Sequence, residues 1–141
     1  MANTAESKVP LNYCAPQSAD ELLRRYAAGE RFFPETDLEN VSLSQATLEN
    51  ADFAKTYFNS VSFDRANLKR VNFRHANLKC SDFRGSDLRY ANFEGALVEG
   101  TDFEGANLEG VSFKGAYFYG AELRDGDIPS PHGLIKASSR E

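Results

Sequence analysis

The chain has 141 residues, a formal net charge of −5 at pH 7 and 41% apolar residues, which suit one soluble domain or one repeat array. No stretch approaches the roughly 18 to 20 apolar residues that a membrane-spanning helix needs, so we expect no membrane span. The N-terminal residues lack the basic end and apolar core of a secretory signal, so we expect a cytoplasmic protein. Its two cysteines, Cys14 and Cys80, are then expected to be reduced thiols.

A short helix is predicted near the N-terminus, after a flexible segment over residues 1–17. Ser18 and Glu21 have the spacing of a capping box, and Gly29 is a natural helix stop, so we predict a helix over residues 19–28. Its apolar stripe consists of Leu22, Leu23 and Tyr26. We expect the segment 18–30 to cover the open end of the structure that follows it, and a helix that docks a partner is the alternative.

From Phe33 to Ile128 every fifth residue is large and apolar, and from Thr36 onward the residue two positions before it is small or β-branched, with one Gly at the end. Asn or Asp is the commonest residue between these two columns. A helix would scatter such residues around its surface, and a flat strand would place alternate ones on opposite faces. The period therefore predicts a chain that turns every five residues, with Asx and Gly at its corners.

The number of sides in each turn can be counted from the large column. Residues 20 apart are identical in nine of 16 pairs, whereas residues 15 apart are identical in three of 17. Four sides are therefore favoured over three. A spacing of ten gives nine of 18, so the count excludes a triangle more firmly than it establishes a square.

Three five-residue units, Ala66–Arg70, Ala76–Cys80 and Ala106–Gly110, read small, Asn, Leu and two variable residues. This pattern resembles the pentapeptide repeat proteins, and the segment from Leu22 to Arg31 resembles the leader of cyanobacterial members. The resemblance implies an all-β solenoid, a right-handed quadrilateral β-helix of about 4.8 coils over residues 31–128, with a short N-terminal α-helical cap. Residues 129–141 are expected to form a C-terminal tail.

Charged residues follow the large column, first basic and then acidic. If residues 20 apart are stacked neighbours, inter-coil ion pairs are predicted for Arg74 with Glu94, Lys79 with Glu99, Arg84 with Glu104, and Arg89 with Glu109. Three basic residues without obvious acidic partners remain as a candidate basic corner: Arg65, Arg70 and His75. The acidic net charge and the lack of a recognition motif predict no direct nucleic-acid binding.

No catalytic, cofactor or metal site is predicted. The chain has two histidines, His75 and His132, and no set of nucleophile and base occurs at a fixed repeat relation. His75 and Cys80 fall on successive outward corners and are together too few ligands for a metal.

The residues that break the outward polar pattern identify a candidate partner surface. Tyr57, Leu97 and Tyr117 stand where Asx is usual and are 20 or 40 residues apart, hence on one side, and Tyr119 faces outward there too. An exposed apolar and aromatic stripe is typical of a protein contact. The alternative is that these stacked side chains only cover one another.

We therefore expect a non-enzymatic protein-binding or scaffold module with an unidentified protein partner, a monomer or a weak end-to-end dimer without membrane contact. The alternative comes from the quinolone-resistance branch of the same family: a DNA mimic that binds a type II topoisomerase, gyrase. This chain departs from that branch through its mixed charge, its short repeat array and the lack of a C-terminal dimerising helix. An enzyme is the third hypothesis, which a cleft or a metal cluster would support.

Overall fold

The computed structural model describes residues 9–119 and 121–122 of the chain. Helix α1 (Ala19–Ala27) comes first, followed by a stack of coils and by two short strands, β1 (Tyr117–Phe118) and β2 (Ala121–Glu122). The coils contain isolated bridges instead of long strands, because each side is only five residues long before the chain turns.

A parallel ladder joins every coil to the next. Residue i is bridged to residue i+20 from Phe32 and Asp52 through to Leu97 and Tyr117. On each complete five-residue side, two backbone N–H groups donate to the next coil and one to the coil before: Phe73 donates to the carbonyl of Asn92 at 2.7 Å, His75 to that of Glu94 and Asn72 to that of Ala51. Four sides therefore complete one turn, and the predicted right-handed quadrilateral β-helix with a helical cap is confirmed.

The interior is filled by the large column, which runs along four sides. We name these sides A to D by their buried large residues: side A has Phe33, Phe53, Phe73, Phe93 and Phe113; side B has Leu38, Phe58, Leu78, Val98 and Phe118; side C has Leu43, Phe63, Phe83 and Phe103; side D has Leu48, Leu68 and Leu88. Along side C the rings are almost parallel, with centroids 5.0 and 5.2 Å apart. Burial of one such side chain stabilises the fold by about 1.5 to 3 kcal/mol.

The corners explain the Asx column. The Oδ1 atom of Asp82 accepts a hydrogen bond from the backbone N–H of Arg84 at 2.9 Å, and that of Asn92 accepts one from Glu94 at the same distance. The residue that follows such an N–H donor has a positive φ. His75, which follows Arg74, has φ 59°. A non-glycine residue in this left-handed region costs about 1 kcal/mol, and the local hydrogen bonds offset this cost.

Helix α1 covers the first coil and ends one residue before the predicted position. Ser18 is its N-cap, with its Oγ accepting from the Glu21 N–H at 3.0 Å, and Leu22 is fully buried against the core. The Glu21 carboxylate turns back to the N–H of Gln17, and this hydrogen bond lowers the pKa of Glu21. The capping box therefore closes one residue earlier than the usual pattern.

Residues 9–17, part of the segment for which flexibility is predicted, contact the cap and the first coil. The Tyr13 hydroxyl donates to the Pro34 carbonyl at 3.0 Å, and its ring meets Phe32 edge-on with centroids 5.5 Å apart. The Cys14 carbonyl accepts from the Arg25 guanidinium at 3.0 Å. Burial raises the pKa of Tyr13.

The coil pattern changes after side B of the last described coil. Strands β1 and β2 pair antiparallel, with Phe118 opposite Ala121, so the chain turns back on itself in this stretch. The predicted end of the repeats at Ile128 and the predicted tail over residues 129–141 lie outside the described residues.

Candidate functional site

The aromatic residues that the sequence singles out lie together on side B. Bridges connect Tyr57 to Asn77, Asn77 to Leu97 and Leu97 to Tyr117, so these residues form one vertical column. Of the five large apolar or aromatic side chains exposed in the described part of the chain, three belong to side B: Tyr57 at 54%, Tyr117 at 44% and Tyr119 at 68%. Leu97 is half-buried between them. We call Tyr57, Leu97, Tyr117 and Tyr119 the side B surface.

The end of the side B surface is fixed by the core beneath it. Phe118 is buried, and the Tyr119 ring meets it edge-on with centroids 4.9 Å apart. Tyr119 has φ 51°, one position earlier than the positive-φ corner residues of the regular coils, and its side chain is exposed. The surface therefore combines three exposed rings with one aliphatic side chain, the composition expected at the centre of a protein contact.

Two opposite charges border this column without meeting. Lys79 and Glu99 occupy the same outward position on successive coils of side B, yet no ion pair forms between them in the described part of the chain. Lys79 is exposed and Glu99 half-buried.

The three residues of the predicted basic corner are spread over three successive corners of one coil instead of being brought together. Arg65 pairs with Asp64 at 3.1 Å. Arg70 lies 3.6 Å from a carboxylate oxygen of Glu49 and 5.5 Å from the centre of the Tyr90 ring. The His75 ring lies over the next coil. Successive corner positions are five residues apart, and only positions 20 apart share a corner, so this separation follows from the four-sided geometry.

One of the four predicted inter-coil ion pairs forms: Arg74 lies 3.8 Å from Glu94. The prediction is wrong for Lys79 with Glu99, between which no ion pair forms in the described residues, and for Arg84 and Arg89. The guanidinium groups of these arginines turn back to Asp82 and Asp87 of their own coil at 2.8 Å, and Arg84 also lies 3.9 Å from Asp102 of the next coil. Asp82 and Asp87 already bind the backbone N–H of the same arginine, so the carboxylate stands ready beside the guanidinium. A fork of two parallel hydrogen bonds within one coil is stronger than one contact to the neighbouring coil.

The same forks shift the acidity of both carboxyl groups. The Arg84 guanidinium lowers the pKa of Asp82 through its side-chain hydrogen bonds, and Arg89 lowers that of Asp87 in the same way. Both groups are therefore ionised at neutral pH and neutralise the arginines beside them. The ion pairs of the coils are therefore of two kinds: Arg65, Arg84 and Arg89 pair within their own coil, whereas Lys69, Arg70 and Arg74 pair with a glutamate of a neighbouring coil.

A groove of about 400 Å³ lies on side A beside the edge that leads to side B. Its lining residues include Val9, Phe32, Pro34, Lys55, Arg74 and His75. The sequence does not predict this groove, because one wall is the segment around Val9, whose path over the first coil follows from long-range contacts and not from the repeat.

Groups of metal ligands and membrane-spanning helices are two further features on which the sequence makes a prediction. Across residues 9–119, no three His, Cys, Asp or Glu side chains are grouped as a metal site requires. His75 and Cys80 stand on different corners, each over a glycine of the next coil. In the same part of the chain, no helix has the length and apolar character to cross a bilayer.

A profile of the pentapeptide repeat region matches residues 36–126. Among curated proteins, no sequence matches the chain. The solved structures similar to it include HetL from the cyanobacterium Nostoc sp. strain PCC 7120, a pentapeptide repeat protein involved in heterocyst differentiation regulation. HetL is 34% identical over 70% of this chain and 46% of its own, with a TM-score of 0.43.

Two further solved structures are similar to this chain. A second pentapeptide repeat protein of Nostoc PCC 7120, alr5209, is 24% identical over 80% of this chain and 90% of its own, with a TM-score of 0.45. QnrB1, a plasmid-mediated fluoroquinolone resistance protein, is 23% identical over 62% of this chain and 53% of its own, with a TM-score of 0.44. The chain thus spans about half the length of HetL and of QnrB1.

Proposed function

The chain belongs to the pentapeptide repeat family, and from this premise we propose that it is a non-enzymatic protein-binding or scaffold module whose contact surface is side B. The observation that carries the proposal is the position of Tyr57, Tyr117 and Tyr119, three exposed rings on one side of the coil stack. Exposed aromatic rings on one side of a rigid support bind protein partners at low entropic cost.

The interior of the coil stack supports a binding role over catalysis. The positions that point inward are occupied by Phe, Leu and small residues, and the buried polar ones are Thr or Ser. A catalytic site needs convergent groups in a recess that excludes water. The outward positions, in contrast, offer side chains at regular spacing on a stiff backbone.

We propose the cytoplasm as its compartment. Cys14 and Cys80 are both exposed free thiols, as is usual in a reducing environment.

Affinity capture from the native host tests the side B surface. We expect Tyr57→Ser combined with Tyr117→Ser to lose the partner while the melting temperature stays close to that of the wild type, because both rings are about half exposed. Tyr90→Ser is the matched control, since Tyr90 is 50% exposed but lies at the end of side D. Capture of the same proteins by all three forms would contradict the proposal, as would an equal loss with the control.

The alternative, a topoisomerase-directed DNA mimic, has one favourable observation. Residues 90–109 contain five Glu or Asp and no Lys or Arg. The preceding residues 64–89, however, contain seven Lys or Arg against three Asp, whereas a DNA mimic needs continuous negative charge. A supercoiling assay with purified gyrase distinguishes the two hypotheses. Inhibition of gyrase by the wild type that persists in the variant with Tyr57→Ser and Tyr117→Ser would favour the mimic.

A further inference from the structure

We propose that side B is self-complementary and pairs two copies of this chain side by side in antiparallel orientation. The inference rests on the proposed function, because it names a partner for the same surface. It differs from the end-to-end dimer expected from the sequence, since the contact runs along the coils instead of across their ends.

The arrangement follows from the order of side chains on side B. Its successive coils present Tyr57 with Asn59, Asn77 with Lys79, Leu97 with Glu99, and Tyr117 with Tyr119. Consider a two-fold axis that lies in the contact plane, perpendicular to the coil stack, and passes between the second and third of these coils. Such an axis reverses the stack but keeps each column opposite itself, so it places Lys79 opposite Glu99 of the second copy, and vice versa.

The same axis places Tyr57 opposite Tyr117 of the second copy. The contact then contains two aromatic pairs at its ends and two ion pairs near its centre. Aromatic pairs strengthen a contact beyond the area that they bury.

Charge selects this register over its neighbours. Shifting the axis by half a coil spacing to the coil of Lys79 places this lysine against itself, and shifting it the other way does the same for Glu99. Like charges in contact are unfavourable. Within one molecule Lys79 and Glu99 form no ion pair with each other, whereas the equivalent residues of side A, Arg74 and Glu94, already do at 3.8 Å. Side B therefore keeps its charges available for a second copy.

The size of the surface sets the strength of the contact. Four coils at about 4.8 Å and a side about 12 Å wide give on the order of 230 Å² per copy. A standard stable interface buries about 800 Å² per partner. The dimer is therefore weak and concentration-dependent, and added salt weakens it further because its ion pairs are at the surface.

Charge reversal followed by sedimentation velocity tests the register at concentrations up to about 1 mM. We expect the wild type to dimerise with rising concentration. Lys79→Glu alone and Glu99→Lys alone should each weaken dimerisation about tenfold, because each creates two like-charged pairs. An equimolar mixture of the two single variants should recover dimers, since positions 79 and 99 then carry opposite charges across both contacts of the mixed pair.

Melting temperatures of the single variants at low concentration show that both are folded. A wild type that stays monomeric throughout, a dimer that withstands both charge reversals, or a mixture that gains nothing over its components would each overturn the proposal. A monomeric wild type whose host partner is still lost when Tyr57→Ser is combined with Tyr117→Ser would reject self-pairing and leave the proposed function standing. If the variant with both Tyr57→Ser and Tyr117→Ser still captures the host partner, the proposed function is rejected. Sedimentation of the wild type and the charge variants would still decide whether two copies pair.

Discussion

The imidazole ring of His75 lies over Gly95 so closely that a methyl group on this glycine would overlap Nδ1 and stand 2.6 Å from Cε1. Tyr90 covers Gly110 in the same way, and the Cys80 Sγ atom lies over Gly100. Corner side chains thus project along the stack onto the next coil. Glycine at these positions meets two requirements, a positive φ and space for the side chain of the preceding coil.

Gly95→Ala should destabilise the fold by more than Gly105→Ala. Both glycines have φ near 70°, so both substitutions carry about 1 kcal/mol of backbone cost. Only Gly95 faces a side chain at close range, because the nearest atom to a methyl group at Gly105 is the backbone nitrogen of Gly85 at 3.6 Å. Overpacking adds about 1 kcal/mol, the lower end of the usual range, since the exposed His75 ring can rotate. Urea unfolding measures both variants.

A double-mutant cycle with His75→Ala checks the cause of this difference. In the His75→Ala background the two glycine substitutions should cost the same. A difference that persists without the imidazole would show that the overlap is not its origin.

Arg25→Ala should loosen the N-terminal cap. Its guanidinium donates to Glu30 at 2.9 Å, to the Cys14 carbonyl at 3.0 Å and to Glu21 at 3.2 Å, so one side chain holds the segment before the helix, the helix and the loop after it. Losing these charge-assisted bonds should cost about 1 to 3 kcal/mol. Hydrogen exchange should then quicken in helix α1 and the first coil before the central coils.

Arg24→Ala is the matched control for the cap. Arg24 has the same helix-end position but is exposed, and no ion pair holds it within the described residues. Equal exchange rates in the two variants would argue against the role of Arg25.

Ser81→Ala should cost more stability than Ser86→Ala, although both serines are buried in the small column. The Ser81 hydroxyl donates to the Phe58 carbonyl at 2.6 Å and accepts from the Val61 N–H at 3.2 Å, joining two coils. Alanine leaves two buried backbone groups without partners, at about 1 to 3 kcal/mol. Chemical denaturation of the two variants gives the comparison.

Ser86 provides the control because its hydroxyl only donates to Phe83 of its own coil at 2.7 Å, and that coil's turn has its own backbone bond. Equal costs would mean that the Val61 N–H finds the Phe58 carbonyl once the serine is gone.

Arg84→Ala should remove a stabilisation that depends on pH. The pKa of Asp82 is lowered in the folded state by the Arg84 hydrogen bonds, so the stabilisation is present above the unfolded pKa of about 4 and is lost as the pH falls through the lower folded value. The melting temperatures of wild type and variant should therefore differ at neutral pH and converge in acid. The effect is small and screened by salt, because the pair is at the surface.

Glu104→Gln is the control for this pH dependence, since Arg84 binds Asp82 and not Glu104. It should leave the pH profile unchanged. If Glu104→Gln changed the dependence of the melting temperature on pH and Arg84→Ala did not, the result would support the ion pair between Arg84 and Glu104 that the sequence predicts.

The fold could be predicted from the sequence because inward positions are under the strictest constraint. A large residue every fifth position, from Phe33 on, requires a chain that turns every five residues. The resemblance to pentapeptide repeat proteins then implies a four-sided coil, and the stacked bridges confirm it. Ser18, Leu22 and Gly29 likewise defined helix α1 to within one residue, since caps and apolar stripes are local signals.

The outward contacts were less predictable from the sequence than the inward positions. Arg84 has acidic groups on its own coil and on the next, and a linear pattern does not say which one the flexible side chain reaches. The contact of Tyr13 with Pro34, 21 residues further on, depends on the path of an irregular segment. The side B surface lies between these cases: the repeat places Tyr57 and Tyr117 in one column, and their use by a partner remains a proposal.

The ladder from residue i to i+20 also decides how the molecule responds to tension. The hydrogen bonds between coils run along the stack, so a pull on its two ends loads them in series, and the coils peel off one at a time. Each coil releases 20 residues, which extend to about 70 Å where the folded coil took up about 5 Å. A stiff spacer at rest thus becomes a stepwise, extensible tether under load.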